Sequence, residues 1–446
     1  MTRLRERVAE LLTWRFWLTP GMGVKRHVVV AVWGALLLVL GVIGSVLWLL
    51  NDRRRELSSP IEHVLVSGTW RHAGGYLSLA VALVGVVFAV FAVGRLNRSL
   101  LSNWMPSPSQ AAVLLHRRLS LARGPRIVAL GGGTGLSNLL RGLREHTSNV
   151  TAVVTVSDDG GSSGRLRIAF DMPPPGDLTD CLAALSDNEL EVSRLLQYRF
   201  ARGDELKGHT FGNLLIATLA EVEGDFGQAI RVLNRLLNLS GAVYPVTGRP
   251  VSLTVAKASG EVVKGESRTR ERPGPARSVT LEPSNPEAVP EVLEAVRRAD
   301  LVVLGPGSLF TSTLPPIVVP AVRDALLETE AKLVYICNIM TEAGETDGFD
   351  AFDHADALAR HLGRLPDMVV LNSSAVDEPR VEAYRAEGAE VVAPAIERLE
   401  GAGIEALRLP LLAGGRLAQH DSDRLASWLA ELARDHAATR KAGLRA

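Results

Sequence analysis

The 446-residue chain has only two cysteines, Cys181 and Cys337, far apart in sequence. So sparse a supply excludes a disulfide scaffold, and no zinc-type Cys/His spacing accompanies them. Both read as small core residues of a reduced compartment. The chain also lacks net charge, but the zero total conceals an asymmetry. Residues 1–122 hold 14 Lys+Arg against 5 Asp+Glu, which leaves the remainder at −9. That acidic remainder has no basic stripe to track the phosphates of a strand, which argues against a nucleic-acid partner. Charge is absent altogether from Val28–Leu50 and from Gly74–Gly94. Each run is long enough to cross a hydrocarbon layer as a helix. A cleaved signal peptide fits poorly, because the first run is long, starts late and is followed by a second.

The expectation is therefore a two-helix transmembrane hairpin with spans at about 28–50 and 74–94. Arg3, Arg5, Arg7, Arg15, Lys25 and Arg26 precede the first span, and Arg95, Arg98, Arg117 and Arg118 follow the second. Flanking positive charge makes that side cytoplasmic; Arg53, Arg54 and Arg55 in the connection argue the other way. Residues 1–20 mix Arg with Leu, Val, Trp and Phe, the composition of a surface-lying helix or of a disordered leader. Pro106-Ser107-Pro108-Ser109 marks a break after the second span.

From Arg126 onward, short apolar runs alternate with helical stretches. "IVAL", "VTAVVTV", "LVVLG", "KLVYICN" and "DMVVLN" read as strands, and 213–223, 290–299 and 352–362 as helices. This alternation indicates an α/β fold with a mostly parallel sheet, Rossmann-like in type. The stretch at about 243–283 departs from it and reads as an antiparallel insertion. The division expected is residues 1–122 as membrane region plus linker, and 123–446 as a cytoplasmic nucleotide-binding domain.

Ligands of open parallel sheets sit beyond the carboxyl ends of the strands, and suspicious residues recur there. After the first strand come Gly131, Gly132, Gly133, Thr134, Gly135 and Ser137, a glycine turn opening a helix, which aims backbone N–H groups at an anion. No Gly-Lys-Ser/Thr follows, so it is not a Walker loop, and the glycine spacing misses the dinucleotide fingerprint. After the second strand comes "SDDGGSSGRLR", in which Asp158 and Asp159 could hold a ribose hydroxyl or Mg²⁺. Gly160, Gly161, Ser162 and Ser163 add close approach and donors, and Arg165 or Arg167 could pair with phosphate. A polar surface turn explains the same stretch. Asp177, after a proline run, fits a helix N-cap. His209, with Thr210 and Asn213, stands at the start of an apolar helix as a general acid, a ligand contact, or a capping or core histidine. Gly305, Gly307 and Ser308 repeat the opening logic, and two such turns at neighbouring strand ends suit a diphosphate. Asn338, Thr341, Glu342 and Glu345 follow another strand. His354 and His361 share a helix face and read as a structural pair.

In this order and spacing, "GGGTGLS", "VTVSDDGGSSGRLR", "PPPGD", "GNLLIA", "GPGSLFTS" and "CNIMTEAGETDG" closely resemble the YvcK group of bacterial gluconeogenesis factors. That group is related to the CofD phospholactyl transferases. The resemblance spans about 124–400. It implies a ligand of the UDP-sugar type, notably UDP-N-acetylglucosamine, and a role in gluconeogenic growth, cell shape and wall synthesis. It carries phosphate binding to 131–135, Ser137, 158–163, Gly305, Gly307 and Ser308, with Asn213 and Asn338 as ligand neighbours. Two departures stand out. Asp177-Leu178-Thr179-Asp180 replaces a family Asp-(Val/Ile)-Arg-Asn, and typical members start near the glycine loop, without a hydrophobic N-terminal region.

The leading expectation is a membrane-tethered nucleotide-sugar sensor, in the bacterial inner membrane with its working domain in the cytoplasm. Its expected partners are a UDP-sugar, the membrane, a cell-wall synthesis protein and a second copy of the chain. The alternative is a Mg²⁺-dependent transferase using a nucleotide diphosphate-activated donor. A third reading is a scaffold whose site only stabilises the fold.

Overall fold

The computed structural model describes residues 25–56, 73–101 and 108–443. Residues 1–20, read as a surface-lying helix or a disordered leader, and the break at Pro106-Ser107 fall outside them. Two compact units emerge, residues 1–117 and 118–446.

In the first unit, helices Lys25–Glu56 and Ala73–Leu101 pack side by side. Segments His27–Leu50 and Gly74–Leu96 are long and apolar enough to cross a membrane, and only 11% of each is buried, unlike the core helices of a folded domain. Small residues set their approach. A Cβ on Gly41 would stand 2.4 Å from the Ala82 nitrogen, and one on Gly85 2.4 Å from the Leu38 nitrogen. Without driving force from water, close backbone packing of this kind is what joins apolar helices.

The second unit is built on a seven-stranded sheet. Its strands are β1 (Ile127–Gly131), β2 (Val150–Val154), β3 (Ala242–Pro245), β7 (Leu301–Leu304), β8 (Lys332–Ile336), β9 (Met368–Asn372) and β10 (Glu405–Leu409). The order is β10-β9-β8-β7-β1-β2-β3, and every neighbouring pair is parallel. β1, β2, β7, β8 and β9 are apolar almost throughout and buried, as strands covered by helices on both faces must be. From β1 the chain winds outward through β2 and β3, then returns to β1's other side and winds through β7 to β10. The topological switch therefore lies between β1 and β7, where connections leave in opposite directions and open a crevice.

A second sheet, β5-β4-β6, is antiparallel: β4 (Ser252–Lys257), β5 (Val262–Lys264) and β6 (Ala276–Glu282). The insertion begins at Ser252 rather than 243. Residues 242–245 pair parallel with β2 as the last strand of the main sheet, their Val243 and Pro245 facing its core. Helix Glu266–Glu271, between β5 and β6, and the C-terminal helix Ser422–Gly443 complete the surroundings of the crevice. The latter packs so closely on helix Gly133–Leu143 that a Cβ on Gly142 would meet the Ser422 carbonyl oxygen at 2.5 Å.

Candidate functional site

Two glycine turns leave adjacent strands at the switch point. After β1, Gly132 is extended, Gly133 turns at φ +61°, and helix Gly133–Leu143 starts at a Gly132 cap that has no side chain, with the Gly133 amide engaged by the Asp177 carboxylate. After β7, Gly305 (φ +79°) and Gly307 (φ +157°) flank Pro306. The turns touch: a Cβ on Gly135 would lie 2.5 Å from the Pro306 carbonyl oxygen. Only glycine allows that approach, so one residue type brings both N–H sources to one place.

The cleft they open has a volume of about 460 Å³, in the range of small-ligand pockets. Of the sequence candidates, Gly132, Gly133, Thr134, Gly135, Asp158, Gly307, Ser308 and Asn338 line it. Gly131, Ser137 and Gly305 stand behind: Gly131 ends β1, and the Ser137 hydroxyl donates to the Thr134 carbonyl at 3.2 Å. Gly160, Gly161, Ser162, Ser163 and Asn213 line instead a second polar cleft of about 470 Å³. Asp158 and Asp177 border both. The candidates thus form two groups that meet at a pair of carboxylates.

Two expectations need correction. Asp177 is not an N-cap. Pro175 occupies the cap of helix Gly176–Leu185, which moves Asp177 into the first turn and turns its carboxylate toward the glycine loop. A Cβ on Gly132 would stand 2.4 Å from its Oδ2. Nor do Asp158 and Asp159 act together. Asp159 accepts from the Ser267 N–H (3.0 Å) and hydroxyl (2.8 Å), binding the loop to the insertion, and lines neither cleft. Asp159 still acts on Asp158 through its charge, while Asp177 is raised first by burial and then by the neighbouring Asp158. Arg165 and Arg167 are likewise diverted, to the Lys207 carbonyl and the Ser252 hydroxyl. Both belong to helix Gly161–Phe170, which occupies the second half of the expected loop.

In the second cleft, Ser162 Oγ lies 2.9 Å from His209 Nδ1, and Asn213 Nδ2 donates to Ser162 Oγ at 3.1 Å. Burial, then Arg165 and Arg199, push His209 below its usual range. Thr210, not His209, caps helix Phe211–Glu223 by accepting from the Asn213 N–H. Thr179, in the place of the family arginine, has its buried hydroxyl 2.9 Å from the Pro175 carbonyl and 3.1 Å from Asn213 Oδ1, two acceptors that share its one proton.

The insertion and the C-terminal region supply residues that the sequence did not single out. Glu266 and Arg270 line the first cleft, as do Tyr384, Gln419 and His420. Arg270 is its only Lys or Arg, against four carboxylates, Asp158, Asp177, Glu266 and Glu342. Its Nη2 donates to Glu266 (2.8 Å) and Ser308 (3.3 Å), and its Nε stands 3.5 Å from the fully buried Glu345. Ser308 in turn donates to Glu342, which also accepts from Asn338 Nδ2 at 3.1 Å. Burial pushes Asp177 up to about 7 and Glu266 up to about 8, with the Gly133 amide opposing in the first and Arg270 in the second. Burial and mutual repulsion raise Glu345 as well, and burial raises Glu342. Such displaced carboxyls cluster at functional sites. Their number and spacing could not have been read from sequence, because 266–270 and 342–345 meet only through tertiary packing.

Lys257 explains how the insertion is held over the cleft. It is 1% exposed. Its ammonium lies within hydrogen-bonding reach of the carbonyls of Thr269 (3.0 Å), Arg272 (3.0 Å), Gly274 (3.2 Å) and Gly344, which share its three protons. One buried cation thus ties the end of helix Glu266–Glu271 to the turn that carries Glu342 and Glu345.

Chemically, this arrangement can bind an anion on backbone amides beside carboxyl groups. Neither cysteine is a nucleophile: burial raises Cys337 to about 12 and Cys181 well above its ordinary value. Among the described residues no group of three or more His, Cys, Asp or Glu is arranged to hold a metal. An ion such as Mg²⁺, which takes one or two carboxylates and draws its other oxygens from water and phosphate, would find them in Asp158 and Asp177, the two that border both clefts.

The family pattern described as 2-phospho-L-lactate transferase CofD matches residues 127–412. A Deinococcus radiodurans protein assigned to the gluconeogenesis factors is 45% identical over 433 residues, 94% of this chain and 89% of that one. The chain belongs to the gluconeogenesis factor (YvcK) family. The gluconeogenesis factor of Bacillus subtilis is 41% identical over 317 residues, 71% of this chain and 100% of that protein. The Bacillus match leaves out close to three-tenths of this chain, whereas the Deinococcus match is too long to omit the two apolar helices. Among solved structures, a Bacillus halodurans protein is 38% identical with a TM-score of 0.67, covering 69% of this chain and 99% of its own.

Proposed function

We propose that this gluconeogenesis factor binds a nucleotide sugar, of the UDP-N-acetylglucosamine kind, as a regulatory ligand. The observation that carries the reading is the switch point. Two glycine turns on adjacent strands touch each other and open onto one cleft, so their amides can hold two linked phosphates. Gly132–Gly135 and Gly307 would hold the diphosphate, with Ser308 and Asn338 beside it. Among the described residues that line the cleft, none is a cysteine or a serine paired with a histidine, which favours sensing over turnover. The two apolar helices tether the domain to the plasma membrane, next to the wall-synthesis machinery to which it would report carbon status.

A second reading rests on Asp158 and Asp177. Two carboxylates between a phosphate-binding cleft and a polar cleft suit a Mg²⁺-dependent transfer from a nucleotide diphosphate donor on one side to an acceptor on the other. Thermal unfolding of the full chain in detergent separates these readings, with UDP-N-acetylglucosamine, UDP-glucose, NADH or GTP added, each with and without Mg²⁺. Specific stabilisation by a UDP-sugar that survives the incubation supports the sensor. Mg²⁺-dependent loss of the donor supports the transferase, and no stabilisation by any nucleotide removes both.

A further inference from the structure

Away from the crevice, the small sheet carries a cleft of opposite charge. β6 is an edge strand, paired with β4 on one side only. Along it lies a cleft of about 450 Å³, lined by Arg277, Arg323 and Arg360, by the hydroxyls of Ser278, Thr280 and Ser284, and by no carboxylate. Arg323 Nε lies 3.7 Å from Asp324 and Arg360 Nε 3.1 Å from Asp356, in half-exposed pairs within single helices. Contacts of that kind neutralise little. Arg277, on β6 itself, has no ion pair or hydrogen bond among the described residues.

We infer that this cleft is a binding site for a small phosphorylated metabolite, distinct from the crevice at β1 and β7. Three guanidiniums from three elements, with hydroxyls between them, match the several oxygens of a phosphate ester. The geometry also decides against the other occupant that an edge strand invites, an acidic peptide added as a fourth strand. His361 Nε2 accepts the Val279 N–H at 3.0 Å, while Nδ1 lies 2.7 Å from the Ala357 carbonyl, which can only accept. The ring is therefore a neutral Nδ1–H tautomer that already occupies one of the strand's outward donors, at its centre. A peptide backbone would have to displace it, whereas a compact anion would not. Val279, Leu281 and Val318 give a small apolar floor, and among the described residues no Phe, Tyr or Trp lines the cleft to stack a base. The site is independent of the nucleotide reading of the crevice.

The test is calorimetric titration of the full chain in detergent with inorganic phosphate and with ribose 5-phosphate, at low and high salt. Saturable binding of ribose 5-phosphate is expected, weakened by salt and at least about tenfold weaker in Arg277→Ala/Arg360→Ala, where two of three charge-assisted contacts are gone. Both positions are exposed, so an unchanged melting temperature should accompany the loss. The binding should persist in the presence of UDP-N-acetylglucosamine. Binding that ignores the arginine substitutions, binding displaced by UDP-N-acetylglucosamine, or the absence of saturable binding to either probe would each overturn the assignment.

Discussion

Replacing Asp177 by Asn should make this protein more stable at pH 8 and less able to respond to its ligand. The carboxyl sits where the first helical turn faces the glycine loop, and burial raises it from 3.8 to about 7. In the unfolded chain it ionises at its ordinary value, so between those limits unfolding releases a proton and stability falls as pH rises. The full cost stands above pH 7. A shift of about three units corresponds to about 4 kcal/mol, and because the cleft wets part of the carboxyl, about 2 kcal/mol is the realistic gain. Asparagine keeps an oxygen to accept from the Gly133 amide and cannot ionise. Thermal unfolding of Asp177→Asn and parent in detergent at pH 4 and pH 8 measures the effect, with other titrating groups common to both. The melting-temperature advantage of the variant should be near zero at pH 4 and several degrees at pH 8. A variant equally destabilised at both pH values would refute the reasoning, since Asp177 would then be a structural acceptor. Retention of a costly carboxylate is what function at the expense of stability looks like.

Three further outcomes follow from the same geometry. Gly135→Ala would drive a Cβ to 2.5 Å from the Pro306 carbonyl, separating the glycine turns; it should abolish nucleotide binding and cost about 1–3 kcal/mol in unfolding titrations. Lys257→Met leaves four carbonyls without their shared donor; a loss of about 3 kcal/mol or more is expected, with weakened ligand response as Glu266 and Arg270 lose their anchorage, read by melting temperature and titration. Burial holds His420 down at about 4, against an opposing hydrogen bond from the ring to the Cys337 backbone carbonyl. Its folded value is depressed, so stability is lost as pH falls from about 6.5 to about 4, by up to about 3 kcal/mol. In His420→Gln, that part of the acid sensitivity should be missing from melting curves across this window.

The main sheet was legible because buried parallel strands are short uniform apolar runs, and Ile127–Gly131, Leu301–Leu304 and Met368–Asn372 could scarcely be anything else. The glycine turns were legible for a related reason, since a strand, a glycine cluster and an amphipathic helix allow one local geometry. What sequence hid is what tertiary packing decides. Three prolines before Asp177 look like a lead into a cap, yet they stiffen the chain so that Pro175 takes that place. Adjacent carboxylates Asp158 and Asp159 look like a pair, yet their side chains leave the backbone in different directions. Residues 242–245 resemble the antiparallel strands that follow, and only pairing with β2 distinguishes them. Arg270, the one Arg or Lys in the crevice, comes from an insertion whose sequence is unremarkable and whose position depends on the buried Lys257.

The central claim is that touching glycine turns at the sheet's switch point hold the diphosphate of a nucleotide sugar. Calorimetric titration of the full chain in detergent with UDP-N-acetylglucosamine, followed by recovery of the nucleotide, tests it directly. Saturable micromolar binding at one site per chain, lost in Gly135→Ala and leaving the nucleotide intact, is the predicted result. Binding that survives Gly135→Ala unchanged, or no binding at all, would contradict it.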